Sequence, residues 1–200
     1  GFNNNDEVWD ADEIEYLLVG DSFLLGSCVR KNDTIAGNLS NLIKHQEILN
    51  LGYSGNGPLL EYASLKEYLP ELSVNNIVWI YYEGNDFSEL KRRLNNKLLG
   101  QYLKDYYFKQ NLVNKQNIID EDLNTRVSNL VKDSYDPANF KPNYLKNFLK
   151  LYNLRVVFFE PFFEKPNYQE FEKIIINTQK FVKENNSNFF FVYIPTYESL

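Results

Sequence analysis

Four short apolar runs punctuate the chain. Ile14 to Val19 is apolar except for Glu15 and leads straight into Gly20-Asp21-Ser22. A run of that length, stopped by Gly and Asp, predicts a buried strand of a parallel sheet. Glu47-Ile48-Leu49-Asn50-Leu51 predicts a second strand, ended by the loop Gly52-Tyr53-Ser54-Gly55-Asn56-Gly57-Pro58. Asn76 to Tyr82 is β-branched and aromatic and predicts a third, running into Glu83-Gly84-Asn85-Asp86. Phe189 to Ile194, stopped by Pro195, predicts a fourth.

Between these runs the apolar spacing changes to that of helices. Residues 22–30 and 33–44 carry it, with Ile35, Leu39, Leu42 and Ile43 on one face. Leu59 to Tyr68 carries it again and is closed by Pro70. Further helices are expected over Leu94–Lys109, Asp120–Val131, Tyr144–Leu154 and Tyr168–Glu184, while Arg155–Phe159 fits a strand or a helix end. Strands alternating with helices predict βαβ crossovers and an α/β fold with a parallel sheet. Residues 1–13 are expected to pack on the surface as a lead-in. Residues 87–165 read as a helical insertion within a single domain spanning 1–200.

Composition narrows the picture little. The chain has 200 residues, 44% hydrophobic and 16% aromatic, enough for a packed core. A net charge of −6 with scattered cations argues against a nucleic-acid partner. Lys91-Arg92-Arg93 is the one dense basic run and reads as a solvated helix face. The single cysteine, Cys28, excludes an internal disulfide and is expected to be a buried packing residue. No run is long and apolar enough to span a membrane. The chain contains no methionine and begins Gly1-Phe2-Asn3, which reads as a piece of a longer product. Asp120-Glu121-Asp122 on one helix point different ways and are read as a helix start, not a metal site.

Chemistry gathers at three loops, each following a predicted parallel strand. In open parallel sheets, ligands bind outside the carboxyl ends of the strands. Ser22 follows its strand directly and opens a helix, so its hydroxyl and backbone N–H are both presented there. Gly55 lies in a glycine-rich loop whose backbone can approach a ligand. Asn85 offers a neutral amide donor. Three N–H donors beside a serine hydroxyl make a nucleophile with an oxyanion hole. Asp21 is read as an N-cap or as support for the Ser22 loop, and Asp86 as a cap.

Gly20-Asp21-Ser22-Phe23, Asn50 to Asn56, and Gly84-Asn85-Asp86 resemble the first three motif blocks of the SGNH (GDSL) hydrolase superfamily. The resemblance covers residues 14–90 and the strand at 189–194. It implies a three-layer α/β/α domain with a flavodoxin-like sheet. Ser22 would be the nucleophile, and Gly55 and Asn85 the oxyanion donors. It implies ester hydrolysis or acyl transfer through a seryl acyl-enzyme, on small-molecule, lipid or carbohydrate O-acyl substrates. No metal or organic cofactor is implied. The family's fourth block, Asp-x-x-His, would supply the general base and does not occur here. The one histidine, His45, precedes the second strand. A strand of about five residues spans ~17 Å, against the ~3 Å reach of a hydrogen bond, so His45 is read as a surface residue. The chain alone is expected to be nearly inactive. The rival readings are a non-catalytic binding module, in which the base is truly lost, and an acyltransferase that works with a membrane partner.

Overall fold

The four apolar runs become four parallel strands. The computed structural model describes residues 2–43, 47–134 and 168–199. β1 is Ile14–Gly20, β2 Ile48–Asn50, β3 Val74–Tyr82 and β4 Asn188–Ile194. They form one sheet in the order β2-β1-β3-β4. Leu17 lies opposite Leu49 on one side and Ile77 on the other, and Tyr82 lies opposite Ile194.

The pleat sorts alternate residues onto two faces. Leu17, Val19, Ile77 and Trp79 join one core with Leu59, Tyr62 and Leu65 of α3 (Pro58–Tyr68) and with Ile174 and Val182 of a late helix, Gln169–Glu184. Leu18 and Ile80 face the other way and meet Leu24 of α1 (Ser22–Leu25) and Ala36 and Leu39 of α2 (Ile35–Leu42). Helices therefore cover both faces, and the fold is a three-layer α/β arrangement on a parallel sheet.

The helices around the site are shorter than their apolar spacing suggests. The helical pattern over 22–30 ends after one turn. Gly26 adopts a left-handed φ of 69° and its N–H bonds back to the Ser22 carbonyl, a glycine C-terminal cap. Cys28 lies beyond that cap and is exposed, not buried. The 33–44 pattern shrinks to α2, started by Thr34, whose hydroxyl accepts the Gly37 N–H at 3.0 Å. Ile35 and Leu42, expected on its inner face, are exposed. The helix expected over 94–109 shrinks to α5 (Leu99–Lys104), and a separate helix, α4 (Asp86–Leu94), precedes it. Asn96 makes the break: its Oδ1 accepts the N–H groups of Leu98 and Leu99 and so starts α5.

By internal contacts the chain divides into two compact units, Gly1–Val113 with Asn167–Leu200, and Asn114–Pro166. The sheet belongs to the first. The described part of the second is α6, Gln116–Ser134. The late helix Gln169–Glu184 is α7. The expectations for Tyr144–Leu154, Arg155–Phe159 and His45 lie outside the described residues.

The two sheet margins are finished differently. On the β2 side, the Asn4 side-chain amide donates to the Asn50 carbonyl (2.9 Å) and accepts the Asn50 N–H (2.8 Å), acting as a one-residue substitute strand. On the other side, Phe190, Phe191, Val192 and Tyr193 of β4 are 40–50% exposed. Such aromatic content suits a strand flanked on both sides, yet β4 pairs with β3 alone among the described strands.

Candidate functional site

A sheet of order 2-1-3 reverses its winding between β1 and β3. The helices leaving β1 lie on one face, and α3, leaving β2, lies on the other. The crevice at such a reversal is where open α/β sheets hold ligands. β1 ends at Gly20 and β3 at Tyr82, so Ser22 and Asn85 flank that crevice from adjacent strands.

Asp21 joins them. Its carboxylate is 1% exposed. Oδ1 accepts the Phe23 N–H at 2.8 Å, which caps α1. Oδ2 accepts from Asn85 Nδ2 at 3.1 Å and, at a long 3.5 Å, from Ser22 Oγ. Asp21 is thus both the expected cap and the expected support. The Ser22 hydroxyl and the Asn85 amide cannot be further apart than the sum of those last two distances. A carboxylate only accepts, so it fixes which end of the Asn85 amide faces it. Asn85 Oδ1 is buried without a partner.

The Gly55 loop reaches the same edge. The Tyr53 N–H donates to the Gly20 carbonyl at 3.3 Å. Asn50 is buried between loop and helix, donating to the Leu24 carbonyl (3.0 Å) and accepting the Gly52 N–H (2.7 Å). A Cβ on Gly52 would meet the Leu25 nitrogen at 2.8 Å, so only glycine lets the loop lie this close to α1. At its far end, a Cβ on Gly57 would meet Glu89 of α4 at 2.5 Å. The loop is held between the first and third blocks. Gly55 sits at the third position of the turn Tyr53–Asn56 with φ 74°, a position that favours glycine. Its carbonyl accepts from Arg93 Nη2 at 3.4 Å. Part of the basic run is therefore a loop anchor and not only a solvated face.

One expectation changes in kind. A long helix behind Ser22 would lend its dipole to the nearby N–H groups. α1 has four residues, so the Ser22 N–H is presented with little help from a helix dipole.

Beneath the crevice lies a group of acids that the sequence did not single out. Glu61, Asp86 and Glu89 are buried together with Asp21. Glu61 Oε2 accepts the Trp79 indole N–H at 2.7 Å, and Asp86 Oδ2 accepts the Tyr82 N–H at 2.7 Å. Their other oxygens, Glu61 Oε1 and Asp86 Oδ1, are buried without partners. Asp86 is thus a strand-end acceptor, not the helix cap its position suggested. Burial pushes the Asp86 carboxyl up to about 7, opposed by the Tyr82 N–H and reinforced by Asp21 and Glu89. Glu61 is held well above the usual carboxylate range, first by burial and then by Asp86. Glu61 and Asp86 therefore hold their protons to higher pH than free carboxyls do, while Glu89 is paired with Arg92 at 2.8 Å. Glu83 behaves oppositely. Ser199, the Thr196 N–H and Tyr193 bond its carboxylate and pull it down to about 2, tying the end of β3 to the turn after β4.

The Asp86 shift has a sign. Unfolded, the group releases its proton near 3.8; folded, it holds it to about 7. A carboxyl raised by folding stabilises most below the lower value, and that stability is lost as pH rises to the upper one. Asp86→Asn keeps an acceptor for Tyr82 and removes the titration. Thermal melts from pH 5 to 8 should show the variant gaining on the wild type as pH rises. Parallel curves for the two proteins would refute this account of Asp86.

No family model matches the chain, and no curated protein matches it.

Proposed function

We propose that the crevice between β1 and β3 performs acyl transfer on ester substrates through Ser22. The observation that carries the reading is the shared Asp21 oxygen, which draws the Ser22 hydroxyl and the Asn85 amide to one point. The resemblance to SGNH hydrolases supports the same roles, with the Ser22 and Gly55 N–H groups and the Asn85 amide receiving the oxyanion.

In this reading Ser22 Oγ attacks the ester carbonyl carbon while its proton passes to a general base. The C–O bond to the alcohol breaks and the alcohol leaves with a proton. Water or an acceptor hydroxyl then takes the acyl group and Ser22 regains its proton. The oxyanion donors act where negative charge develops, and each is worth about 10² to 10³ in rate. No described residue is a histidine, so the base is an added reagent in the test.

The test supplies imidazole to the chain together with an activated acetate ester. Intact mass and peptide mapping should find one acetyl group on Ser22 within the time that Ser22→Ala remains unmodified. Acetylation spread over lysines, or equal in the variant, would remove the reading.

A further inference from the structure

A second tie joins the two site loops, and it is exposed where Asp21 is buried. Phe23, the residue after Ser22, stacks on Tyr82 from the end of β3, with ring centroids 4.2 Å apart at 41°. Phe23 nevertheless remains 50% exposed. The ring on the first turn after Ser22 is thus packed on one face and open on another.

The Tyr82 ring is held in place. A Cβ on Gly84 would lie 2.5–2.7 Å from its Cε1, Cζ and Oη. The ring folds back over the Gly84 backbone, next to Asn85, because residue 84 has no side chain. Gly84 therefore does more than turn the chain toward Asn85: it makes room for the ring that Phe23 packs against.

We propose that Phe23 and Tyr82 form an acyl-group subsite, selecting esters whose acyl part is aromatic or bulky and apolar over acetate. This rests on the reading of Ser22 as the acylated residue. Asp21 Oδ2 draws Ser22 Oγ toward Asn85, and the Tyr82 ring that Phe23 packs on lies over Gly84 beside Asn85, so the two rings border the place of a group bonded to Ser22 Oγ. Phe23 offers only C–H and π surface, which rewards apolar area and rings in offset or tilted stacking. It offers no hydroxyl or amide for a sugar.

The chemistry of the step is unchanged. The Ser22 Oγ–acyl bond forms, the ester C–O bond breaks, and imidazole accepts the serine proton. The probes are vinyl acetate and vinyl benzoate, which share a small leaving group, so only the acyl part differs. With imidazole supplied, the wild-type chain should acylate Ser22 faster with benzoate than with acetate by roughly tenfold or more beyond the ratio of the two uncatalysed reactions with imidazole, as pockets that select by apolar size do. Phe23→Ala should bring that preference close to unity, and a thermal melt beside that of the wild type reports that the variant is folded. Phe23→Leu should keep part of the preference. A preference unchanged in Phe23→Ala, or absent from the wild type, would overturn the subsite. Failure of both esters to acylate Ser22 would overturn the serine reading itself, and this proposal with it.

Discussion

Acylation of Ser22 should fall by about 10² to 10³ in an Asp21→Ala variant, the scale on which one misplaced oxyanion donor is felt. Three contacts end on this carboxylate: the Phe23 N–H, the Asn85 amide and the Ser22 hydroxyl. Losing the cap alone costs about 1 kcal/mol. Part of that returns, because Asp86 and Glu61 lose a nearby anion that raises both. The stability change should therefore be small against the rate change. Asp21→Asn separates the two roles. Its amide oxygen can still cap Phe23, but its NH₂ then faces two other donors, Ser22 Oγ and Asn85 Nδ2. That variant should be as stable as the wild type and acylate as poorly as Asp21→Ala. Imidazole-dependent acylation followed by intact mass, beside a urea melt, checks both. Wild-type acylation in Asp21→Asn would show that the shared oxygen does not position the pair.

Much of this arrangement is legible in the residues. The strands are, because β1 and β3 are buried on both faces along most of their length and so read as mainly apolar runs. Their ends at Gly20-Asp21-Ser22 and Gly84-Asn85-Asp86 are legible for the same reason. Where α1 stops is not. Leu24, Leu25 and Val29 keep helical spacing past Gly26, and what ends the helix is a left-handed backbone at that glycine. The acid group is hidden differently. Glu61 sits among Leu59, Leu60 and Tyr62, where a charged residue reads as the outward face of a helix. In the fold it meets Trp79, eighteen residues further on, and its neighbours Asp21 and Asp86 come from two other segments. Patterns of period two or four register local burial, not the meeting of three acids from separate elements. Asn4 and Asn50 escape notice likewise, since a side chain standing in for a strand leaves no periodic trace.

Asn50 shows how large such a hidden contact can be. Asn50→Leu keeps the size of the side chain and removes both hydrogen bonds. The Leu24 carbonyl and the Gly52 N–H would then be left unpaired beside α1, at about 1–3 kcal/mol each. The loss should total roughly 2–5 kcal/mol in a denaturant titration, a large share of the stability of one domain. Asn50→Asp retains the acceptor for Gly52 but sets a buried carboxylate against the Leu24 carbonyl, and should lose at least as much at neutral pH. A loss below ~1 kcal/mol in Asn50→Leu would mean that the loop and α1 are held by other contacts.

The margin of β4, unpaired among the described strands, bears on how the chain behaves in bulk solution. Among the described residues the outer edge of β4 has no partner strand, and flanked by half-open Phe190 and Tyr193 it is an adhesive strip; what keeps two such strips apart is the repulsion between molecules of net charge −6. Acid removes that repulsion and leaves the strip intact. Self-association should therefore be strongest near the isoelectric point of about 5.0, where the charge that holds copies of the chain apart is lost.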